Sequence, residues 1–411
     1  MHNTESHKQK LQLNKEGMDP FAIEIVRKLQ NAGFTSYFVG GCVRDLLAGI
    51  KPKDFDIATN AEPEQIKRII RGSHIIGRRF RLVLLRRYQH QYEIATFRKE
   101  APMQIVDSES EIEAEILKKI TLEEEGLAGA ESDNFKTDPE NGIVGDNYFG
   151  TAEEDAKRRD FTINALFYDP IRAELIDYVD GLKDIKQAQM KIIGQPELRI
   201  KEDPIRSLRA IRLAHKLNFQ IQPELKQAIQ KEAKSLENSI MPRRREEYLK
   251  LLRLDDPAPA FFELYDLNIL EVILPSLHQV MSDPKGQTLL HEYLKRTHDF
   301  CKNHQLVFEL MIPFVLALAH YWEKEPNREQ KLEAFLREEI GLFKSEIAII
   351  FKIIELKDLL MNHQAFQKKG YRRQTNFMNQ ENLDIAFELA QFEKVLNSEQ
   401  LSFWKNQFKP L

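Results

Sequence analysis

Two periodicities divide this chain, and the point where one of them stops constrains the fold most. Up to about residue 182, stretches with apolar residues at every second position alternate with stretches at helical spacing. Beyond that point only helical spacing recurs. "FAIEIVRKLQNAGF" predicts a helix, and "SYFVGG" a strand running into a glycine turn. "VRDLLAG" predicts a short helix closed by Gly49, "DFDIAT" the next strand, and "EPEQIKRII" a helix with Pro63 in its first turn. "RLVLLRRY" and "QYEIATFR" follow as paired strands, and "NALFYD" with "AELIDYVDG" as a hairpin around Asp169 and Pro170. From about residue 183, runs such as "DPIRSLRAIRLAHKLNF", "REEYLKLLRL" and "APAFFELYDLNILEVILP" predict helices and no further strand. The expected fold class is therefore multidomain α+β: an N-terminal head with a mixed sheet and helices, followed by an all-helical region.

Composition narrows the function classes. The chain has 411 residues, enough to bury more than one core, and a net charge of −4. That excludes a globally basic nucleic-acid coat but leaves room for a local basic groove. Its two cysteines, Cys42 and Cys301, are far apart and form no CxxC pair. Neither a disulfide framework nor a thiolate zinc site is expected, which suits a reducing, cytoplasmic setting. The longest apolar run, "LMIPFVLALAHYW", is too short to span a bilayer and contains Pro313, so no membrane span is expected. Residues 1–17 are polar and read as a disordered tail. Residues 107–140 are strongly acidic with few aromatics and read as a solvated, mobile insertion.

The chemistry concentrates in short segments. In "KPKDFDIAT", Asp54 and Asp56 lie one residue apart on an expected strand, so both carboxylates point to one face. Like charges that close call for a cation, and oxygen donors suit magnesium. Alone, the pair is better read as an exposed strand edge or a turn, and it also fits the metal site of a sugar-nucleotide transferase. Upstream, "GGCVRD" places Gly40 and Gly41 at a strand-to-helix turn where backbone N–H groups can approach an anion, with Arg44 and Asp45 close behind. A glycine turn followed by D-x-D in one strand–turn–helix–strand unit describes a triphosphate cradle beside a metal site. Glu93 in "YEIATFR" is the candidate third carboxylate.

Two further clusters read less specifically on their own. "EEDAKRRDFTIN" gathers Arg158, Arg159, Asp160 and Asn164, which suit phosphate oxygens and sugar hydroxyls or, more plainly, local ion pairs. "KEDPIRSLRAIR" is expected to set Glu202, Arg206 and Arg209 on one face of a helix, with Asp203 flanking and Leu208 and Ile211 opposite. Carboxylate and guanidinium there could read a base edge or merely pair with each other at the surface.

Taken in order, "GGCVRDLLAGIKPKDFDIAT", "RRDFTINAL" and "EDPIRSLRAIR" resemble the nucleotidyltransferase superfamily, in the branch that holds the class II CCA-adding enzymes and bacterial poly(A) polymerases. The resemblance runs from about residue 20 to about 280. It implies a catalytic head over 18–182, a helical neck with a base-facing helix over 183–255, and an RNA-binding helical body and tail over 256–411. It implies attack of an RNA 3′-hydroxyl on the α-phosphate of a nucleoside triphosphate, with ATP and RNA 3′ ends as partners. Asp54, Asp56 and Glu93 would hold two Mg2+ ions, with Mn2+ as the alternative. Gly40, Gly41 and Arg44, beside Asp45, would cradle the triphosphate. Arg158, Arg159, Asp160 and Asn164 would fix ribose and phosphates, and Asp203, Arg206 and Arg209 would face the base.

Within the branch, "IIGRRFRLVLL" carries the signature Gly77, Arg78, Arg79 and Phe80, which is similar to the poly(A) polymerase version. The expected function is template-independent addition of AMP. The alternatives are a CCA-adding enzyme and, from a different class, a non-catalytic RNA-binding relative. Many bacterial poly(A) polymerases end in a long basic extension. Here the sequence stops at Leu411, with only local basic groups such as Arg243 to Arg245 and "KKGYRR", so weaker RNA retention is expected. Protein partners leave no mark in the sequence.

Overall fold

A computed structural model of the chain describes residues 8–77, 81–87, 90–99, 149–301 and 307–408. The described residues fall into two compact units. One takes in residues up to Arg206 together with Leu217–Ile229. The other holds Ser207–Lys216 and the residues from Gln230 onward. The expected neck, 183–255, is thus shared between the two.

The first unit is built on an eight-stranded sheet, with strands β1 (Lys8–Lys10), β2 (Ser36–Val39), β3 (Phe55–Thr59), β4 (His74–Ile76), β5 (Leu82–Arg87), β6 (His90–Thr96), β7 (Leu166–Asp169) and β8 (Glu174–Asp177) in the order β1-β8-β7-β2-β3-β6-β5-β4. Every pairing is antiparallel except β3 with β6, which run parallel. Three helices cover one face. In α1 (Pro20–Asn31), Asp19 accepts from the Phe21 N–H at 2.7 Å and Pro20 opens the first turn, while Ala22, Ile25, Val26 and Leu29 recur at helical spacing and are buried. α2 (Gly41–Leu47) follows β2 directly. In α3 (Pro63–Ile69), Gln65 reaches back to accept from the Glu62 N–H at 2.8 Å. Strand alternation sends Phe38, Phe55, Ile57, Tyr92 and Ile94 into this core. The opposite face carries a smaller cluster of Tyr37, Val39, Ala58, Phe97 and Phe167, against which Ala156 of the Ala152–Arg158 helix packs. The thin cover on that face leaves room for polar side chains.

Three expectations change here. Residues 8–17, assigned to a disordered tail, hold structure: β1 pairs with β8 in the register Lys8↔Ile176, and Lys15–Gly17 forms a 3-10 turn. Strands recur past residue 183, as β9 (Gln189–Met190) pairs in parallel with β10 (Gln220–Ile221). The helix expected to carry Glu202 and Arg206 together is two helices. Pro196–Glu202 ends with Asp203 extended at φ −146°, and Ile205–Leu217 starts after Pro204. A residue before proline is pushed out of helical backbone, so Asp203 is the break. The acidic stretch 107–140 lies outside the described residues.

The second unit is helical throughout its described residues. The apolar run seen in the sequence is the helix Val307–Tyr321, with Pro313 inside it and Leu310, Ile312, Val315 and Leu318 fully buried. Among the described residues no helix is long and apolar enough to cross a membrane. The unit encloses a buried polar cluster. Glu393, whose side chain is 1% exposed, accepts from Tyr293 Oη at 2.8 Å, His320 Nε2 at 2.8 Å and Lys357 Nζ at 2.5 Å. Burial alone would raise the Glu393 pKa. The His320 hydrogen bond and the Lys357 charge outweigh it and hold the pKa at about 2. A depressed carboxylate stabilises above its unfolded pKa, so this contribution is complete at neutral pH and fades as pH falls toward 2. Glu393→Gln leaves the buried Lys357 ammonium only the exposed Asp358 carboxylate, 3.3 Å away, and is expected to cost about 3 kcal/mol at pH 7. The gap from wild type in chemical denaturation should narrow steadily below pH 4.

Candidate active site

The paired strands β3 and β6 set the carboxylates. Asp56 and Glu93 are directly opposed in register, so their side chains leave the same, thinly covered face of the sheet. Asp54 lies just before β3 and is exposed. Asp56 is exposed, between the buried Phe55 and Ile57. Loss of water raises its pKa first and the Glu93 charge second, with Asp54 adding to it. Arg159 and Arg44 pull the other way, and the result is about 6. The donor set is all oxygen. Among the described residues no three Asp, Glu, His or Cys side chains converge tightly enough to hold an ion by themselves. Oxygen donors of this kind suit a hard cation such as magnesium.

The glycine turn lies against these carboxylates. Gly40 has φ +73°, ψ −131°, a backbone that side-chain-bearing residues rarely adopt. A Cβ there would stand 3.3 Å from Arg159 Nη1 and 3.8 Å from Asp56 Oδ2, so the missing side chain lets these two groups close in on the turn. Arg44 is buried. It donates from Nε at 2.8 Å and Nη2 at 2.6 Å to Asp45 Oδ1, and from Nη1 at 2.7 Å to Asn164 Oδ1. Asn164 Nδ2 donates in turn to Asp160 Oδ1 at 3.1 Å. The glycine segment and "RRDFTIN", far apart in sequence, are thereby joined through Arg44 and Asn164.

Arg158 and Arg159 are aimed by Asp155, whose side chain is 3% exposed. Arg158 Nε donates to Oδ1 at 3.0 Å, and Arg159 donates to Oδ2 from Nε at 3.1 Å and Nη2 at 2.9 Å. Burial opposes ionisation of Asp155, and the two guanidiniums overcome it, so its pKa is lowered. The Arg158 and Arg159 side chains remain 34% and 23% exposed, leaving guanidinium surface for an anion.

Arg206 Nη1 donates to the Arg199 carbonyl at 2.6 Å and to Glu202 Oε2 at 3.0 Å. The expected partnership of Glu202 and Arg206 therefore persists across the helix break. Arg209 departs from it. It belongs to the second compact unit, where its Nε lies 3.7 Å from Glu247 Oε1 while Arg212 Nε donates to Oε2 at 2.6 Å. Of the signature segment, Gly77 is described, with φ +85° directly after β4. Arg78, Arg79 and Phe80 lie outside the described residues. Within "RRR", Arg245 is buried and bound to Glu346 Oε1 at 2.6 Å, so it is structural. The residues of "KKGYRR" are exposed. A cleft of about 510 Å³, bounded by Phe21, Lys28, Arg71 and Arg87, lies on the helix-covered side of the sheet, away from Asp56.

With this geometry in place, comparison with known proteins is decisive. Residues 36–191 match the family described as Poly A polymerase head domain, and residues 218–281 the one described as Probable RNA and SrmB- binding site of polymerase A. Poly(A) polymerase I of Haemophilus influenzae is 40% identical over 351 residues, covering 85% of this chain and 67% of that protein. The chain belongs to the family of poly(A) polymerases and CCA-adding enzymes. Another member, the CCA-adding enzyme of Ligilactobacillus salivarius, is 34% identical over 350 residues, 85% of this chain and 74% of that protein. Poly(A) polymerase I of Salmonella typhi is 34% identical over 326 residues, and the match spans 63% of its length. Among solved structures, the Thermotoga maritima CCA-adding enzyme complexed with tRNA shares the fold at a TM-score of 0.58 and 20% identity, over 98% of this chain and 85% of that one.

Two residues that organise the family's motif segments here were not singled out from sequence. Asp155 sits in the acidic trio Glu153, Glu154, Asp155. Its spacing of three and four from the two arginines was the available signal. Arg199 donates from Nη2 to the carbonyls of Arg158 at 2.8 Å and Arg159 at 2.9 Å, and from Nη1 to Glu202 Oε2 at 2.8 Å. Its acceptors include backbone carbonyls, which no residue pattern reveals.

Proposed function

We propose that the protein is a template-independent polynucleotide adenylyltransferase that adds AMP from ATP to RNA 3′ ends and releases pyrophosphate. The observation that carries this reading is Asp56 in register with Glu93, beside a glycine turn that Arg159 also approaches. Asp54, Asp56 and Glu93 would hold magnesium or manganese, which when bound helps ionise the 3′-hydroxyl and offsets triphosphate charge. Arg158 and Arg159, pinned by Asp155, bind phosphate oxygens. The Gly40–Gly41 backbone approaches the triphosphate closely because no side chain intervenes. Arg44 holds Asn164 toward the ribose, and Asp203 and Arg206 face the base. The RNA 3′ oxygen then bonds to the α-phosphorus as the α–β bridging bond breaks. Residues 18–182 serve as the catalytic head, and the helical region beyond it, including Arg209, contacts RNA. ATP and RNA as substrates suit a cytoplasmic setting.

The 40% identity to a poly(A) polymerase I and the Gly77-to-Phe80 signature support adenylate addition. The long match to a CCA-adding enzyme supports a second reading, completion of tRNA 3′ ends. Incubating the protein with magnesium, unstructured RNA and each nucleotide separately tests the choice. Extension by ATP alone is expected. Addition confined to C, C and A on tRNA lacking its end would overturn the first reading in favour of the second. Retention of all three carboxylates argues against a non-catalytic relative.

A further inference from the structure

We infer that Arg199 is a positioning residue that locks the phosphate-binding arginine loop to the base-facing segment, and so sets discrimination between ATP and CTP. The inference rests on the proposed nucleotidyl-transfer reading and deepens it. One guanidinium joins two segments about forty residues apart. Through Nη2 it grips the consecutive carbonyls of Arg158 and Arg159, at 2.8 and 2.9 Å. Through Nη1 it holds Glu202 at 2.8 Å, and Glu202 accepts Arg206 Nη1 at 3.0 Å on the same oxygen. The backbone continues the link. The Arg199 carbonyl accepts from Arg206 Nη1 at 2.6 Å and from the Asp203 N–H at 3.4 Å. The Arg199 side chain is 11% exposed.

Gly194, at φ +88°, lies alongside this side chain, and a Cβ there would stand 3.5 Å from Arg199 Cγ and Cδ, an ordinary contact. Fixing the peptide between Arg158 and Arg159 fixes where both guanidiniums leave the backbone. Fixing Glu202 fixes Arg206, and with it the edge that Asp203 and Arg206 offer. A planar fork with five donors can do both at once, and an ammonium cannot. Arg199 itself faces no reacting atom. It acts through the four residues that it holds, where misplacement by about 1 Å can cost on the order of 10²-fold in rate.

The test compares wild type, Arg199→Ala, Arg199→Lys and Glu202→Gln in RNA extension with ATP and with CTP, alongside equilibrium binding of each nucleotide and a thermal melt. Arg199→Ala is expected to lower kcat/KM for ATP about 10²-fold and to narrow the ATP-to-CTP preference about tenfold. Arg199→Lys should recover part of both. Glu202→Gln leaves the carbonyl grip in place and should narrow the preference with little change in kcat. A wild-type ATP-to-CTP ratio in these variants, with any activity loss tracking the melting temperature, would overturn the proposal. If Arg199→Ala does not fold, the ratios of the other two variants decide. If wild type extends RNA with neither nucleotide, the transfer reading fails, and the binding ratios alone judge Arg199. A wild type that binds neither nucleotide overturns both.

Discussion

Asp56→Asn is expected to reduce nucleotidyl transfer by on the order of 10³-fold or more while leaving the fold intact. Asp56 stands in register with Glu93, and its pKa is raised to about 6 by loss of water and then by that neighbouring charge. The protein therefore tolerates an electrostatic conflict at this point, which a bound cation would resolve. Removing the charge relieves the conflict, so stability should hold or rise slightly as activity disappears. That opposition separates a functional carboxylate from a structural one. Single-turnover extension and a denaturant titration on the same preparation read both quantities. A variant within tenfold of wild type, or one that loses activity only by unfolding, would remove Asp56 from the site.

Asp155→Ala should produce the opposite combination, with stability and activity falling together. The Asp155 side chain is 3% exposed and accepts from Arg158, Arg159 and the Arg98 N–H. Its removal leaves two partly exposed guanidiniums with no shared counter-charge, an expected loss of about 1.5–3 kcal/mol. Asp155→Asn keeps the volume and should lie between. Because Arg159 and Arg158 hold the Asp155 pKa below its ordinary value despite burial, its contribution is complete above the unfolded pKa of about 3.9 and is lost as pH falls through the folded value. The stability gap between wild type and Asp155→Asn should therefore shrink in acid. A gap that is constant from pH 7 to pH 3 would contradict the ion-pair account.

What could be read from sequence follows the range of the forces involved. The glycine turn, the D-x-D strand, α1 and the β7–β8 hairpin rest on neighbours along the chain, and local periodicity revealed them. β1 was missed because three lysine- and glutamine-bearing residues signal nothing until β8 supplies the register, about 165 positions away. β9 and β10 are two residues each, too short for alternation to register. The break at Asp203 was legible in Pro204, yet the charged spacing of Glu202, Arg206 and Arg209 suggested one continuous face. Arg206 does meet Glu202, whereas Arg209 turns to Glu247, an acceptor distant in sequence. In "EED" the three acids look alike. Only packing shows that Glu154 caps the helix at Thr151, Glu153 pairs with Lys157 outside, and Asp155 points inward to the arginines.

The account turns on transfer of AMP by the Asp54, Asp56 and Glu93 face of the sheet, and one measurement addresses it directly. Wild type and Asp56→Asn are each given magnesium, an unstructured RNA with a free 3′-hydroxyl and ATP as the only nucleotide, and product length is followed with time. The account predicts tails that lengthen by many residues with wild type and unextended RNA with Asp56→Asn. Wild-type product that fails to grow on ATP alone, or equal tails from both proteins, would contradict it.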